Sequence, residues 1–209
     1  MSRLEVFAAW MIVTGTVFEA ASVTPKFPIT NELRESLEKI GVALQAAGDA
    51  IIYELIEEYN AEKLGAGLFT IGNLTILQGL LREDVDDEQM TRFDMQGNAI
   101  QALGGSLILS GLFPLERSRV GILEFYGVAI ESIGNVLHVF AGAKNLRGED
   151  GDGDTLDLFG AWAQVVGSTM GAIGLEISLV EDEMSEIDKE ADLPQQLEEM
   201  KVRIAAKYS

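Results

Sequence analysis

The chain has 209 residues, of which 47% are hydrophobic, and it carries 15 lysines and arginines against 34 aspartates and glutamates. This length and composition predict one folded domain with a sizeable core rather than a disordered chain. The formal net charge of −19 argues against a nucleic-acid partner, and the absence of cysteine excludes disulfides, thiolate nucleophiles and cysteine-ligated metals.

The hydrophobic periodicity, interrupted by prolines and charged runs, predicts an all-α bundle of six long antiparallel helices. The predicted helices span residues 2–22, 31–58, 61–82, 87–113, 116–145 and 155–182. Residues 1–182 are therefore expected to form a single six-helix domain. Residues 183–209 are predicted to be an acidic linker followed by a short amphipathic helix at 193–208, which docks on the bundle.

The first apolar segment, Val6 to Val13, superficially resembles the hydrophobic part of a signal peptide. Glu5 stands where positive charge is expected, and the segment matches a later repeat of the same chain. The segment is therefore predicted to be the first structural helix, and the chain is expected in the cytoplasm.

Small residues recur every seven positions in each predicted helix, as at Gly65, Gly72 and Gly79. Seven residues make almost two helical turns, so these positions form one nearly straight stripe. Glycine in a helix interior costs about 1 kcal/mol relative to alanine. Such stripes are therefore expected where helix backbones approach each other closely. The clearest copies of this internal repeat are Gly41–Gly48, Gly97–Gly104, Gly127–Gly134 and Gly160–Gly167.

Two kinds of polar residue accompany the glycine stripe. An acid stands three residues before the first small residue of every copy, and an acid in the first turn of a helix stabilises the helix dipole. A glutamine or glutamate follows four residues after the first glycine in four copies, and these groups are predicted to bridge neighbouring helices. The acids are Glu5, Glu38, Glu62, Asp94, Glu124 and Asp157, and the later polar residues are Gln45, Gln101, Glu131 and Gln164.

The runs Gly97 to Gly104 and Ile133-Gly134-Asn135 resemble the glycine-repeat "repetitive protein" family of unknown function from spore-forming bacilli. The resemblance covers roughly residues 5–180. Helices 1 and 3 depart from the motif, because Ile12 and Phe69 replace its glutamine. The resemblance implies a repeated helical architecture and implies no site residues.

Two groups of residues could in principle bind a metal ion. Asp150, Asp152 and Asp154 match the first three acidic positions of an EF-hand loop, but the expected glycine and glutamate are missing, which favours a solvated acidic linker. Glu124, Glu131 and His138 lie seven apart on one helical face, but the paired Glu-x-x-His motif of di-iron bundles is absent. Neither group is predicted to be a metal site.

No catalytic or nucleotide-binding motif accompanies the helices. His138 is the only histidine, and neither a Gly-x-Ser-x-Gly motif nor a phosphate-binding glycine loop occurs. Trp10 and Trp162 occupy matching repeat positions and are predicted to pack in the core or in a helix seam. We therefore expect no enzymatic activity, no cofactor and no catalytic, cofactor-binding or metal-binding residues.

The regular packing pattern favours a non-enzymatic helical scaffold that associates with itself or with another protein. Two alternatives remain. Met95 to Leu115 has no charged residue over a length that could span a bilayer, which is typical of a membrane-associated helix. A cavity between the helices could instead carry an apolar ligand.

Overall fold

The computed structural model describes residues 2–113 and 118–208, and the side chains within them except those of residue 150 and residues 188–208. All regular secondary structure in these ranges is helical, which confirms the predicted all-α bundle. The helices are α1 (Arg3–Val23), α2 (Asn31–Leu55), α3 (Ala61–Leu81), α4 (Asp87–Gly111), α5 (Arg119–Asn145) and α6 (Asp150–Tyr208).

Helices α1 to α5 begin at side chains that cap their N-terminal backbone. In each case the capping oxygen accepts a hydrogen bond from the amide three residues later, which satisfies one of the amides that the first turn leaves unpaired. The capping residues are Ser2, Thr30, Asn60, Asp86 and Ser118. Polar residues in the short connections therefore set where these five helices start.

Helix α6 differs from its prediction at both ends. It begins at Asp150 and continues to Tyr208. Its backbone is therefore helical from residue 150 within the predicted acidic linker at 148–154, and again throughout the linker predicted after residue 182. The break from α5 falls at Gly148, whose φ of 75° is costly for residues with a side chain. Acids in the first turns favour the helix dipole, so they fit a helix start as well as a loop. Docking of residues 193–208 concerns side chains outside those described.

The six helices form a closed ring. Each helix packs against the helix that follows it in the chain, and α6 packs against α1. Antiparallel glycine seams join α1 to α2, α3 to α4 and α5 to α6, giving three hairpins. In the first hairpin, a Cβ added at Gly15 would lie 2.5 Å from the Gly41 carbonyl oxygen, and one added at Gly48 would lie 2.8 Å from that of Ala8. The predicted close approach of helices at the glycines is confirmed.

The interior of the ring holds few large apolar side chains. Apolar residues that are buried are mostly alanines, and the larger ones include Ile12, Phe69 and Ile76. The largest fully buried side chains are instead mainly polar: Val42, Asn73, Asn98, Asn135 and Thr16. The ring therefore encloses a polar axis, which is the reverse of an ordinary soluble bundle.

Candidate functional site

A layer of amide side chains crosses the middle of the ring. Within each hairpin one glutamine donates a hydrogen bond from Nε2 to the partner helix: Gln45 to Glu19 Oε2 at 2.7 Å, Gln101 to Asn73 Oδ1 at 3.0 Å and Gln164 to Asn135 Oδ1 at 2.5 Å. These three glutamines follow the first seam glycine of α2, α4 and α6 by four residues, so they lie on the same helical face as the seam. The predicted bridging between helices is confirmed for these three glutamines. It is wrong for Glu131, which forms no interhelical hydrogen bond in the described part of the chain.

The contacts between hairpins repeat with one interruption. Asn73 Nδ2 donates to Asp49 Oδ2 at 2.8 Å between α3 and α2, and the hydroxyls of Thr16 and Ser168 lie 3.0 Å apart between α1 and α6. At the third junction, between α4 and α5, Gly105 occupies the repeat position that Asp49 holds in α2 and Ser168 holds in α6. Asn135 Nδ2, which corresponds to Asn73 Nδ2, is buried without a hydrogen-bond partner. The ring is thus approximately threefold, and the α4–α5 junction breaks the symmetry.

On one side of the amide layer lies a cavity of about 180 Å³, which we call the acidic cavity. All six helices contribute to its wall. His138 is 2% exposed, and its Nδ1 lies 2.6 Å from Asp157 Oδ1. The Asp157 side chain is 30% exposed, so solvent reaches the cavity. Its titratable wall residues are Glu19, Glu38, Asp94, His138 and Asp157.

A second cavity of about 130 Å³, the opposite cavity, lies on the other side of the amide layer. Residues from all six helices line it, and most of them are apolar. Asp49 and Glu131 are its two acids. On α4, Asp94 lines the acidic cavity, Gln101 belongs to the amide layer and Ile108 lines the opposite cavity. Each of these residues is seven positions from the next, which corresponds to about 10.5 Å along the helix. The two cavities therefore lie on one axis, and buried amides separate them.

The outer surface of the ring is apolar. Large apolar side chains in the middle of the helices point outward, including Ile71 (53% exposed), Leu103 (57%) and Ile133 (57%). In the described part of the chain, four helical segments are long and apolar enough to cross a membrane: Arg3–Val23, Ala61–Leu81, Arg119–Asn145 and Gly151–Ile187. A groove of about 440 Å³ on this outer surface, beside Tyr53, Leu64 and Ile71, is mainly apolar.

Two basic residues that lie close in sequence to residues of the cavity wall bind partners outside the cavity. Lys144 Nζ bonds to Glu149 and Asp152, and Arg82 bonds to Asp84 in the α3–α4 connection. The Arg82 guanidinium lowers the pKa of the exposed Asp84 carboxyl. Among the described residues, Glu19, Glu38, Asp94 and Asp157 form no ion pair with lysine or arginine.

The acids that precede the seam glycines have two roles. Glu5 forms a capping box with Ser2, and Glu62 lies in the first turn of α3, as the helix-dipole prediction requires. That prediction is wrong for Asp157, because α6 starts seven residues before it, and Asp157 instead bonds to His138. Glu38 and Asp94 line the acidic cavity with it. The sequence does not predict that these acids meet, although their shared position relative to the seam indicates a shared helical face.

The tryptophans lie on the outer surface, so their predicted core or seam packing is wrong. Trp10 is 38% exposed and Trp162 is 41% exposed. Each follows a seam residue by two positions, Ala8 or Gly160, which places it about 200° around the helix and away from the seam. Trp162 Nε1 donates to Thr24 Oγ1 at 3.2 Å.

Neither metal candidate forms a cluster among the described side chains, and the side chain of Asp150 lies outside them. His138 lines the acidic cavity and Glu131 the opposite one, so the acids and histidine of α5 are separated by the amide layer. Asp152 lies in the first turn of α6 and bonds to Lys144. No group of three or more His, Asp or Glu side chains among the described residues is arranged to hold a metal ion.

Comparison with known proteins gives one match. The model of a family of unknown function, DUF6944, matches residues 3–172, which cover α1 to α5 and the first part of α6. A search of the curated proteins and a search of the solved structures found no match. The chain therefore belongs to the family of unknown function DUF6944.

Proposed function

We propose that this protein is an integral membrane protein whose helix ring encloses a passage for a small polar solute. One observation carries the proposal: polar side chains are buried along the axis while large apolar side chains cover the outside. In water this arrangement exposes much apolar surface and buries costly polar groups. In a bilayer the outer face meets acyl chains, and the polar groups face a protein interior.

The helix lengths fit this environment. The shortest helices, α1 and α3, have 21 residues each, which corresponds to about 32 Å and matches a hydrocarbon core of about 30 Å. Helix α4 has no charge from Met95 to its end. Helix α2 carries Asp49 within its apolar half, where the side chain is buried and bonded to Asn73. In the proposed ring, α2 and α4, which are not among the four candidate spans, cross the bilayer together with the other four helices.

The axis suits passage of a solute better than catalysis. It has a solvent-accessible acidic cavity on one side, an amide layer in the middle and a second cavity beyond. The buried amides close the axis in this conformation, so passage requires them to separate. We propose a non-enzymatic role, with the bilayer rather than the cytoplasm as the location.

Membrane fractionation of cells that express the full chain tests this proposal. We expect the protein in the membrane pellet, where it resists an alkaline wash that releases peripheral proteins and dissolves only with detergent. A protein that stays in the soluble fraction, or that the alkaline wash releases, contradicts membrane insertion.

A second candidate is a self-associating scaffold, because the same apolar faces could be covered by further copies of the chain. Light scattering after gel filtration in detergent-free buffer distinguishes the two. A discrete oligomer without detergent supports the scaffold, whereas insolubility without detergent supports the membrane protein. The resemblance to the glycine-repeat family of spore-forming bacilli fits either candidate, since it concerns helix packing alone.

A further inference from the structure

A groove of about 440 Å³ runs along the outside of α3, and we call it the outer groove. Leu64, Leu68 and Ile71 line it from α3, and their spacing of three or four residues puts them on one face of that helix. Ala50 of α2 and Leu107 of α4 line it from the two helices that flank α3. Because these side chains are apolar, the part of a ligand that fills the groove must be apolar too.

The length of the outer groove matches the thickness of one leaflet of a bilayer. One end is at the α2–α3 connection, where Tyr59 lines the groove just before α3 begins at Ala61. The other end is at Ile71, the middle residue of α3, which is about 15 Å from Ala61 along the helix axis. Half of a hydrocarbon core of about 30 Å has the same thickness. In the proposed membrane orientation, the groove therefore extends from the membrane surface to the midplane, as one acyl chain of a lipid does.

The end of the outer groove at the α2–α3 connection offers hydrogen-bond donors. Tyr53 and Tyr59 line the groove, and neither hydroxyl forms a hydrogen bond within the described part of the chain. Lys63 Nζ lies 4.8 Å from the centre of the Tyr53 ring and donates to the Ile56 carbonyl oxygen at 2.6 Å. An ammonium group has three donors, so two N–H groups of Lys63 remain for a ligand.

The charges around Lys63 favour one class of lipid head group. Among the described residues, Lys63 forms no ion pair, although Glu57, Glu58 and Glu62 are close to it in sequence and exposed. Its ammonium group can therefore bond to a phosphate, and hydrogen bonds between charged groups are among the stronger ones. These glutamates and the net charge of −19 repel a head group that is negative overall. A head group that carries an amine beside its phosphate meets both conditions.

We infer that the outer groove binds one acyl chain of a zwitterionic glycerophospholipid, whose phosphate accepts hydrogen bonds from Lys63. The inference rests on the proposed function, because it names a lipid that the membrane-embedded ring holds at a fixed place. A Cβ added at Gly67 would lie 3.2 Å from Cδ2 and Cε2 of the Tyr53 ring, so the glycine lets this ring rest against α3. The same ring lines the groove and lies beneath the Lys63 ammonium, which joins the apolar groove to its polar end.

Native mass spectrometry of the delipidated full-length protein in detergent micelles, titrated with phosphatidylethanolamine, tests the inference. Phosphatidylglycerol and diacylglycerol with the same acyl chains are the comparators, since the first is negative overall and the second lacks the phosphate. We expect one phosphatidylethanolamine to bind saturably, phosphatidylglycerol to bind more weakly, and diacylglycerol to bind about tenfold more weakly. Equal binding of the three lipids, no saturable lipid, or a lipid-free dimer that buries the groove overturns the inference.

A lysine variant tests the contact with the phosphate. Lys63→Met keeps an apolar side chain of similar length and removes the ammonium group, so phosphatidylethanolamine should bind about tenfold more weakly while diacylglycerol binding stays unchanged. Lys26→Met is the matched control, because Lys26 is an exposed lysine in the connection at the other end of α2. It should leave the binding of both lipids unchanged. Equal effects of the two substitutions overturn the role of Lys63.

A tryptophan variant tests the place of the acyl chain. Ala50 is exposed and lines the outer groove, so Ala50→Trp fills the groove and should abolish the saturable binding of phosphatidylethanolamine. Ala99→Trp is the matched control, because Ala99 is exposed on α4 and is not among the residues that line the groove. Circular dichroism checks that each variant is folded. Wild-type binding by the folded Ala50→Trp variant overturns the site.

The two proposals fail in different ways. A protein that the alkaline wash releases but that binds phosphatidylethanolamine through Lys63 contradicts membrane insertion and leaves the lipid site intact. A protein that resists the wash but binds no lipid saturably contradicts the lipid site and leaves membrane insertion intact.

Discussion

At the scale of single residues, the seam glycines leave no room for a side chain, because an added methyl group would collide with the neighbouring helix. A Cβ at Gly134 would lie 2.7 Å from the Gly160 carbonyl oxygen and 2.8 Å from Gln164 Cγ. The neighbouring backbone cannot yield without separating α5 from α6. We expect Gly134→Ala to lower the free energy of unfolding by about 1–3 kcal/mol, measured by denaturant titration of the purified protein.

Gly171 provides the control for this substitution, since it lies inside α6 but an added Cβ meets nothing within 4 Å. Alanine loses less backbone entropy than glycine when it enters a helix. Gly171→Ala should therefore raise the free energy of unfolding by about 0.5–1 kcal/mol. Equal effects of the two substitutions would show that close helix approach is not what the seam glycines provide.

The amide layer makes a second residue-scale prediction. Gln101→Leu removes the donor to Asn73 Oδ1 and leaves that oxygen buried without its partner. The expected loss is about 1–3 kcal/mol in free energy of unfolding, by the same titration. Gln96→Leu, at an exposed position of the same helix, should change it by less than about 0.5 kcal/mol. A similar cost at both positions would contradict a structural role for the layer.

Single-residue roles could be predicted where the residue's own helix decides them. The spacing of Gln45, Gln101 and Gln164 from the seam glycines fixed their face, and all three bridge to a partner helix. The role of Asp157 could not be predicted, because it depends on where α6 begins and on His138 from another helix. Cavity walls are built from separate helices, and no spacing within one helix records them.

At the scale of elements, Arg34 ties the start of α2 to the end of α1. Its guanidinium donates to the carbonyl oxygens of Ser22, Thr24 and Phe27, which follow the last turn of α1 or lie in it. Terminal carbonyls lack helical partners, so a cation there stabilises the helix end. We expect Arg34→Met to lower the thermal midpoint, with a loss of about 1–2 kcal/mol in stability.

Arg92→Met is the control at this scale. Arg92 forms only an exposed pair with Glu88, one helical turn away, which is worth about 0.3–0.5 kcal/mol. If the two arginine variants melt at the same temperature, the guanidinium of Arg34 does not hold the α1–α2 hairpin together.

The existence and order of the helices could be predicted, because capping residues, prolines and glycine periodicity are local features. The boundaries of α6 could not. Its acidic first turns contain the same residue types as a solvated loop, and the positive φ that marks the break lies two residues earlier, at Gly148. Local composition alone does not distinguish an acidic helix start from an acidic loop.

At the scale of the whole molecule, the sequence pattern shows which residues share a face but not which medium that face meets. Only the closed ring of six helices shows which side chains point outward and which inward. Trp10, Ile71 and Ile133 point outward, and the amides point inward. The acidic composition favoured a soluble protein. The acids are, however, partly enclosed by the ring and partly placed in the connections.

The central claim is that lipid, rather than water or protein, covers the outside of the ring. Because the chain has no cysteine, single cysteines at Ile71, Ile133 and the connecting residue Asp84 can each carry a nitroxide label. We would measure collision of each label with oxygen and with a water-soluble nickel complex after reconstitution into vesicles. The account predicts that oxygen but not nickel reaches the labels at 71 and 133, and that nickel reaches the label at 84. Equal access of nickel to all three positions would contradict it.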